Sequence, residues 1–162
     1  MGLVITAFER VELVSTDVKS EEDPSRDKGL VLLYPNQDFP AQADGLVKGI
    51  YRFRGRTVDV SCGSYHSYDF GRKLLAKMVG RDLEGPWKGT DAADVPFYEL
   101  LNFADNEGVI GPKTSAKLAT DFDAHAAGAA TWHNDAWTAW YGKLREAFHV
   151  ASESGAGAVE FH

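Results

Sequence analysis

The hydrophobic period of this chain changes once, near residue 62, and that change limits what it can fold into. Before it, apolar residues come in short runs and alternations broken by Pro, Gly and acidic clusters. From about Ser67 they recur at spacings of three to five. Side chains alternate between the two faces of a strand but return to one helix face about every 3.6 residues. Strands therefore crowd the first part and helices the remainder, which is the segregated pattern of an α+β domain. The expectation is an N-terminal antiparallel β-sheet with a β-hairpin, packed against C-terminal helices, in a single domain over residues 1–162.

Within the first part, residues 3–14 read as one or two strands, rich in Val, Ile, Leu and Phe. Ser15–Gly29 carries Glu21, Glu22, Asp23 and Pro24 and reads as an exposed loop. Leu30–Tyr34 is of strand length and stops at Pro35 and Asn36, and Gln37–Gly45 is a second loop. Ile50–Phe53 and Thr57–Cys62 flank Arg54-Gly55-Arg56, with Gly55 able to supply the positive φ of a tight turn. This is the expected hairpin.

In the second part, Phe70, Leu74, Leu75 and Met78 form one helical stripe, with Ser67 as N-cap and Gly80 closing the end. Arg81–Asp94 is a loop, and Pro96 opens a short helix to Leu101 or Phe103. Asp105–Lys113 is a second polar loop. A helix from Thr114 sets Leu118, Phe122 and Ala126 inward until Gly128 interrupts it. A last helix over 131–153 places Trp137, Trp140, Tyr141, Leu144, Phe148 and Ala151 on one face, and residues 158–162 add a brief edge strand.

Composition narrows the classes. The 162 residues are 44% apolar and 25% charged, an ordinary globular balance. No apolar run reaches the length of a transmembrane helix, and Glu9 and Arg10 interrupt the start too early for a signal peptide. Met1-Gly2 with Thr6 formally meets a myristoylation pattern, but the alternation that follows suits Gly2 as the residue before a strand. One cysteine, Cys62, allows neither an intrachain disulfide nor a multi-cysteine zinc site, which favours a reducing, cytoplasmic setting. The net charge of −7 argues against general nucleic-acid binding. Membrane partners are not expected, nor is any cofactor.

Two polar stretches are candidate sites. In Cys62-Gly63-Ser64-Tyr65-His66-Ser67-Tyr68, hydroxyls, phenols and an imidazole precede a helix start, where free N–H groups favour an anion. Arg72, about one turn in, adds a fork of donors. The alternative is structural: Ser67 caps the helix while Tyr65 and Tyr68 pack at the sheet edge. Cys62 near the helix start also admits a thiolate activated by a histidine, although its place in a strand suits a buried, inert thiol equally well. The second stretch runs from Asn102 to Ser115. In it Asp105, Asn106 and Glu107 offer acid–base or polar-binding groups, or simply form a turn with Gly108. Gly111-Pro112-Lys113-Thr114 fails the phosphate-loop pattern, which leaves only a generic anion site at that helix start. Asp121 and His125 share a helix face but are too few to define a metal site. Lys48, Arg52, Arg54 and Arg56 make a basic stripe, or the wet face of a strand.

The stretches from Gly63 to Tyr68 with Arg72, and from Phe103 to Gly108 with Ile110-Gly111-Pro112, resemble uncharacterised proteins encoded by phages and bacteria. The resemblance covers about a third of the chain. It implies a phage or prophage origin, compatible with host interference, and brings no fold, substrate or catalytic residue.

The reading these residues favour is a non-enzymatic binding protein that holds a small polar or anionic ligand between the two loops. Ser64, Tyr65, His66, Tyr68 and Arg72 would face Asp105, Asn106 and Glu107. The alternatives are a hydrolase or transferase using Glu107 with His66 or Asp105, and a protein–protein interaction or inhibitor protein.

Overall fold

The computed structural model describes residues 2–19, 24–83, 94–103 and 107–162. The elements in chain order are β1 (Val4–Ser15), β2 (Leu30–Leu33), β3 (Gly49–Ser61), α1 (Tyr65–Met78), α2 (Tyr98–Asn102), β4 (Gly108–Ile110), α3 (Pro112–Ala130), α4 (Asp135–Glu153) and β5 (Ala158–Phe161). Two short 3₁₀ turns, Arg26–Lys28 and Pro40–Ala43, flank β2. The α+β class is as the sequence indicates. Five strands form an antiparallel sheet in the order β2-β3-β1-β5-β4; β1 to β3 precede the main helices, while β4 and β5 lie between and after them.

One face of the sheet carries Leu3, Ile5, Ala7, Val60, Val159 and Phe161 into a core with Tyr68, Leu100, Phe122, Tyr141 and Phe148 from the helices. The other face gathers Phe8, Val11, Val31, Leu33, Tyr51, Val109 and Ala158. Val31 and Leu33 belong to one edge strand and Val109 to the other, so the sheet must curl to bring its edges over one cluster. The connection between β2 and β3 ties them. Tyr34 Oη donates to Glu107 Oε2 and Asn36 Nδ2 to the Glu107 carbonyl, both at 2.8 Å. Further along, the Gly111 N–H donates to the Gln42 carbonyl at 2.8 Å.

The turn expected at Arg54-Gly55-Arg56 does not form. Residues 49–61 are one continuous strand, paired along its length with β1. Gly55 does take a positive φ of 80°, but at a bulge: the register shifts between Phe8–Thr57 and Arg10–Arg54. The Glu9 carboxylate receives the Arg56 N–H there at 2.7 Å. The bulge moves the core-facing parity of β1 from Phe8 to Val11, which absorbs the polar pair Glu9-Arg10. The partner of β3 in a consecutive antiparallel pair is instead β2.

Five further expectations change. Residues 158–161 are an interior strand between β1 and β4, fully buried, and not an edge. A three-residue strand, β4, lies inside the stretch read as the 105–113 loop, and α3 runs through Gly128 to Ala130. The buried stripe of α1 is Tyr68, Gly71, Arg72, Leu75 and Ala76, which leaves Phe70 exposed at 56%. Its N-cap is Ser64, whose Oγ accepts the Ser67 N–H at 3.2 Å, and not Ser67.

Candidate functional site

Rotating α1 away from the expected stripe opens a concavity beside it. It is a groove of roughly 680 Å³ bounded by the C-terminal half of β3, by α1 and by α4. Phe70 and Leu74 on α1 and Trp137 and Trp140 on α4 supply its apolar walls. Gly71 lets the helices close beneath it: a Cβ at that position would stand 2.5 Å from the Trp140 ring. The tryptophans form a near-parallel series, with Trp132–Trp137 centroids 5.2 Å apart and Trp137–Trp140 5.6 Å apart. Trp137 Nε1 donates to the Ala129 carbonyl at 3.1 Å, which fixes the middle ring.

The rim is polar. His66 and Ser67 come from the start of α1, Asn134 and Lys143 from the start and middle of α4, and Asp59 and Ser61 from β3. Asp59 accepts the Thr6 hydroxyl at 2.8 Å, and Asn134 caps α4 through the Trp137 N–H at 2.9 Å. Among the described residues, neither His66 nor Lys143 has a hydrogen-bond or ion-pair partner. Side chains from both faces of β3 line the groove, Val60 and Cys62 with Asp59 and Ser61. It therefore runs along the strand's edge and not under one face of the sheet.

The residues singled out in the sequence go to different places. His66 reaches the groove, while Tyr65 is exposed and Ser64 is the helix cap. Tyr68 is fully buried, and its hydroxyl donates to the Phe103 carbonyl at 3.3 Å. Arg72 is buried too. Its Nε donates to the Leu100 carbonyl at 3.0 Å, Nη2 to the Leu101 carbonyl and Nη1 to Asp69 at 3.0 Å. These bonds satisfy carbonyls at the end of α2 that have no helical partner. Asp105 and Asn106 lie outside the described residues. Glu107 is exposed and holds Tyr34. Glu107 precedes the start of β4 and His66 lies on α1 just after the end of β3; those two strand ends are on the same side of the sheet with β1 and β5 between them, about 14 Å apart at ordinary strand spacing. Of the two loops, the described residues meet through Tyr68 and Phe103.

Chemistry at the remaining candidates is largely committed. Burial pushes the Cys62 thiol up to about 12, only partly offset by the Trp140 indole N–H against it. Its Sγ lies 3.8 Å from the Val60 carbonyl, so it is a buried thiol, as the strand reading allowed. The Trp140 Nε1–H has no other acceptor among the described residues. His162 contacts the Thr6 hydroxyl at 3.1 Å. Thr6 thus sits between Asp59 and His162, yet is 3% exposed, which keeps a substrate from its hydroxyl.

Asp121 accepts the Phe97 N–H at 2.9 Å and an ion pair from Lys117 at 3.0 Å, and His125 Nδ1 turns to the Asp121 carbonyl. Among the described residues no three His, Cys, Asp or Glu side chains converge. The anion position at the start of α3 holds the chain's own Asp44 carboxylate, bonded to Thr114. In the basic stripe, Arg56 is taken by Glu153 at 2.8 and 2.9 Å. Arg52 lies opposite Glu12 and Arg54 opposite Arg10.

The groove was missed because exposed apolar residues at helical spacing read as core. The available signal was Gly71, a small residue on the inner face of α1 facing a tryptophan-rich helix. No family model matches the chain, and neither a curated protein nor a solved structure matches it. Among the described residues no helix is long and apolar enough to cross a membrane.

Proposed function

We propose that this chain is a binding protein whose site is the groove between β3, α1 and α4, and that it takes an amphipathic ligand with an apolar body and an anionic group. The observation that supports the reading is the pairing of an open apolar trough with an unpaired cation at its rim. Phe70 stands 56% exposed on one wall, Trp137 and Trp140 form the other, and Lys143 lies between bulk water and the trough. Concave, mostly apolar sites with a few polar groups at the edge are the usual form of small-ligand sites. This places the ligand beside the 62–68 stretch, as the sequence reading did, but opposite α4 instead of the 105–113 stretch. Acid–base catalysis by Glu107 with His66 has no support from their placement, one before β4 and the other on α1 beyond the end of β3. A phage or prophage origin would suit a protein that captures a host component.

The test is a titration with an anilinonaphthalene sulfonate dye, which has the proposed chemistry. Saturable one-to-one binding with quenching of tryptophan emission is expected. Phe70→Ser and Lys143→Glu should each weaken it at least about tenfold, the effect of about 1.4 kcal/mol. Val14→Ser, at an exposed site on β1, should leave it unchanged. Binding that ignores both groove substitutions, or no saturable binding by the folded protein, would overturn the reading.

A further inference from the structure

The groove is bordered by an open strand edge. β2 pairs with β3 only over Leu30–Leu33 and Gly49–Arg52, with one more bond from the Phe53 N–H to the Gly29 carbonyl. Among the described residues, β3 is bonded from Arg54 onward on its β1 side alone. The direction of the remaining backbone groups follows from the ladder. Val4 exchanges both of its bonds with His162, at 2.8 and 3.0 Å, so opposite Ser61 it has none to give. Non-bonded and bonded pairs alternate in an antiparallel ladder, as the Cys62 N–H to Leu3 carbonyl bond of 3.0 Å bears out. Ser61, Asp59 and Thr57 therefore turn their N–H and C=O groups away from β1, along the groove.

Edges like this are usually blunted by Pro, by Lys or by a covering element. Here the five residues Thr57-Val58-Asp59-Val60-Ser61 contain no proline and no basic residue. At the far end the bulge at Gly55–Arg56 stops the run, with Arg56 pinned to Glu153. The open length is thus about 17 Å, enough for a strand of about five residues.

We infer that the edge of β3 from Thr57 to Ser61 receives an extended peptide segment as an added strand, with one apolar side chain dropping between Phe70 and Trp140 and an acidic group meeting Lys143. This rests on the groove reading and names its occupant. Backbone bonds to an edge give affinity, and pockets for alternate side chains give specificity. A peptide satisfies both features at once: outward donors and acceptors on the strand, and an apolar trough beside it. The charge fits as well. Lys143 has no partner among the described residues and can meet an acidic group, while Asp59, which accepts the Thr6 hydroxyl, keeps its own charge.

The experiment uses a blocked hexapeptide alternating valine and glutamate, and a twin N-methylated at alternate residues, against the full chain. Displacement of the dye and slowed amide exchange at Asp59 and Ser61, by at least about tenfold at saturation, are expected. The N-methylated twin, stripped of donors toward the edge, should bind at least about tenfold more weakly. Ser61→Pro should weaken the peptide but not the dye, because its N–H faces outward and no internal bond is lost. Dye binding without peptide binding overturns strand addition and leaves the groove reading standing. Equal binding of the twin, or displacement without slowed exchange, also overturns it. Failure of the dye as well removes both. Concentration-dependent protection of Asp59 and Ser61 without peptide would assign the edge to a second copy instead.

Discussion

Thr114 and Asp44 are joined twice: the Thr114 N–H and hydroxyl donate to the two oxygens of the Asp44 carboxylate, at 2.8 and 3.1 Å. Asp44 arrives from the connection between β2 and β3, seventy residues away in sequence. It places a fixed negative charge at the positive end of α3, where Gly111 as N-cap offers no side chain. The same bond locks the connection that bridges the two edges of the curled sheet.

Asp44→Ala should therefore lower stability by about 1–2 kcal/mol, the usual effect of losing a helix cap. Asp44→Asn should cost less. It keeps one acceptor and tolerates the left-handed backbone at φ 54°. Urea denaturation of the three proteins decides it, and equal stability of Asp44→Ala and the parent would mean the cap contributes nothing.

Arg72 is expected to hold structure instead of ligand. Arg72→Met leaves the Leu100 and Leu101 carbonyls buried without their donor, which should cost roughly 2–4 kcal/mol. Arg72→Lys should recover only part, since an ammonium cannot reproduce the planar fork. Thermal melts would show the loss. Dye affinity of whatever remains folded should match the parent.

Alkaline pH should destabilise the protein through two groups. Burial raises Cys62 from 9.0 to about 12 and Tyr141 from 10.0 to about 12. Both are neutral acids whose folded pKa lies above the unfolded one. Their contribution is complete below about pH 9 and is lost as pH rises toward 12. Cys62→Ala and Tyr141→Phe should each flatten the decline in melting temperature between these limits. An undiminished slope in the double variant would remove both groups as its cause. Consistent with a suppressed thiolate, a disulfide reagent at neutral pH should modify Cys62 only at the rate of unfolding.

Gly71→Ala forces a methyl group to 2.5 Å from the Trp140 ring. Overpacking of this kind costs about 1–3 kcal/mol. The nearest relief is movement of Trp140 into the groove, so dye affinity should fall together with stability. The near-ultraviolet circular dichroism of the stacked indoles should change as well. Unchanged dichroism would mean α1 shifts while the tryptophan series stays put.

Much of the fold was legible. Short apolar runs located β1 and β2, and Trp137, Tyr141, Leu144, Phe148 and Ala151 do face inward from α4. The failures have local causes. Gly55 needs φ above zero in a bulge as much as in a turn, so the glycine could not tell them apart. Residues 158–161 looked like an edge because four residues give no sign of being flanked on both sides. On α1, Phe70, Leu74 and Met78 outweighed Tyr68, Gly71 and Arg72 because hydrophobicity was taken as burial. A buried arginine reversed that rule. Of the site, the sequence located the 62–68 stretch but not its partner, since helix α4 is some seventy residues further on and its placement is tertiary.

The sheet order also dictates when the fold can be completed. β5 occupies the place between β1 and β4, so until residues 158–161 are synthesised the Ile5–Phe8 edge of β1 has no neighbour on that side. A nascent chain must carry this apolar edge exposed while helices α1 through α4 emerge, and only then insert the last strand into the middle. Folding is thereby tied to its most sequence-distant pairing. Such pairing is slow and leaves the chain open to association with other copies during translation.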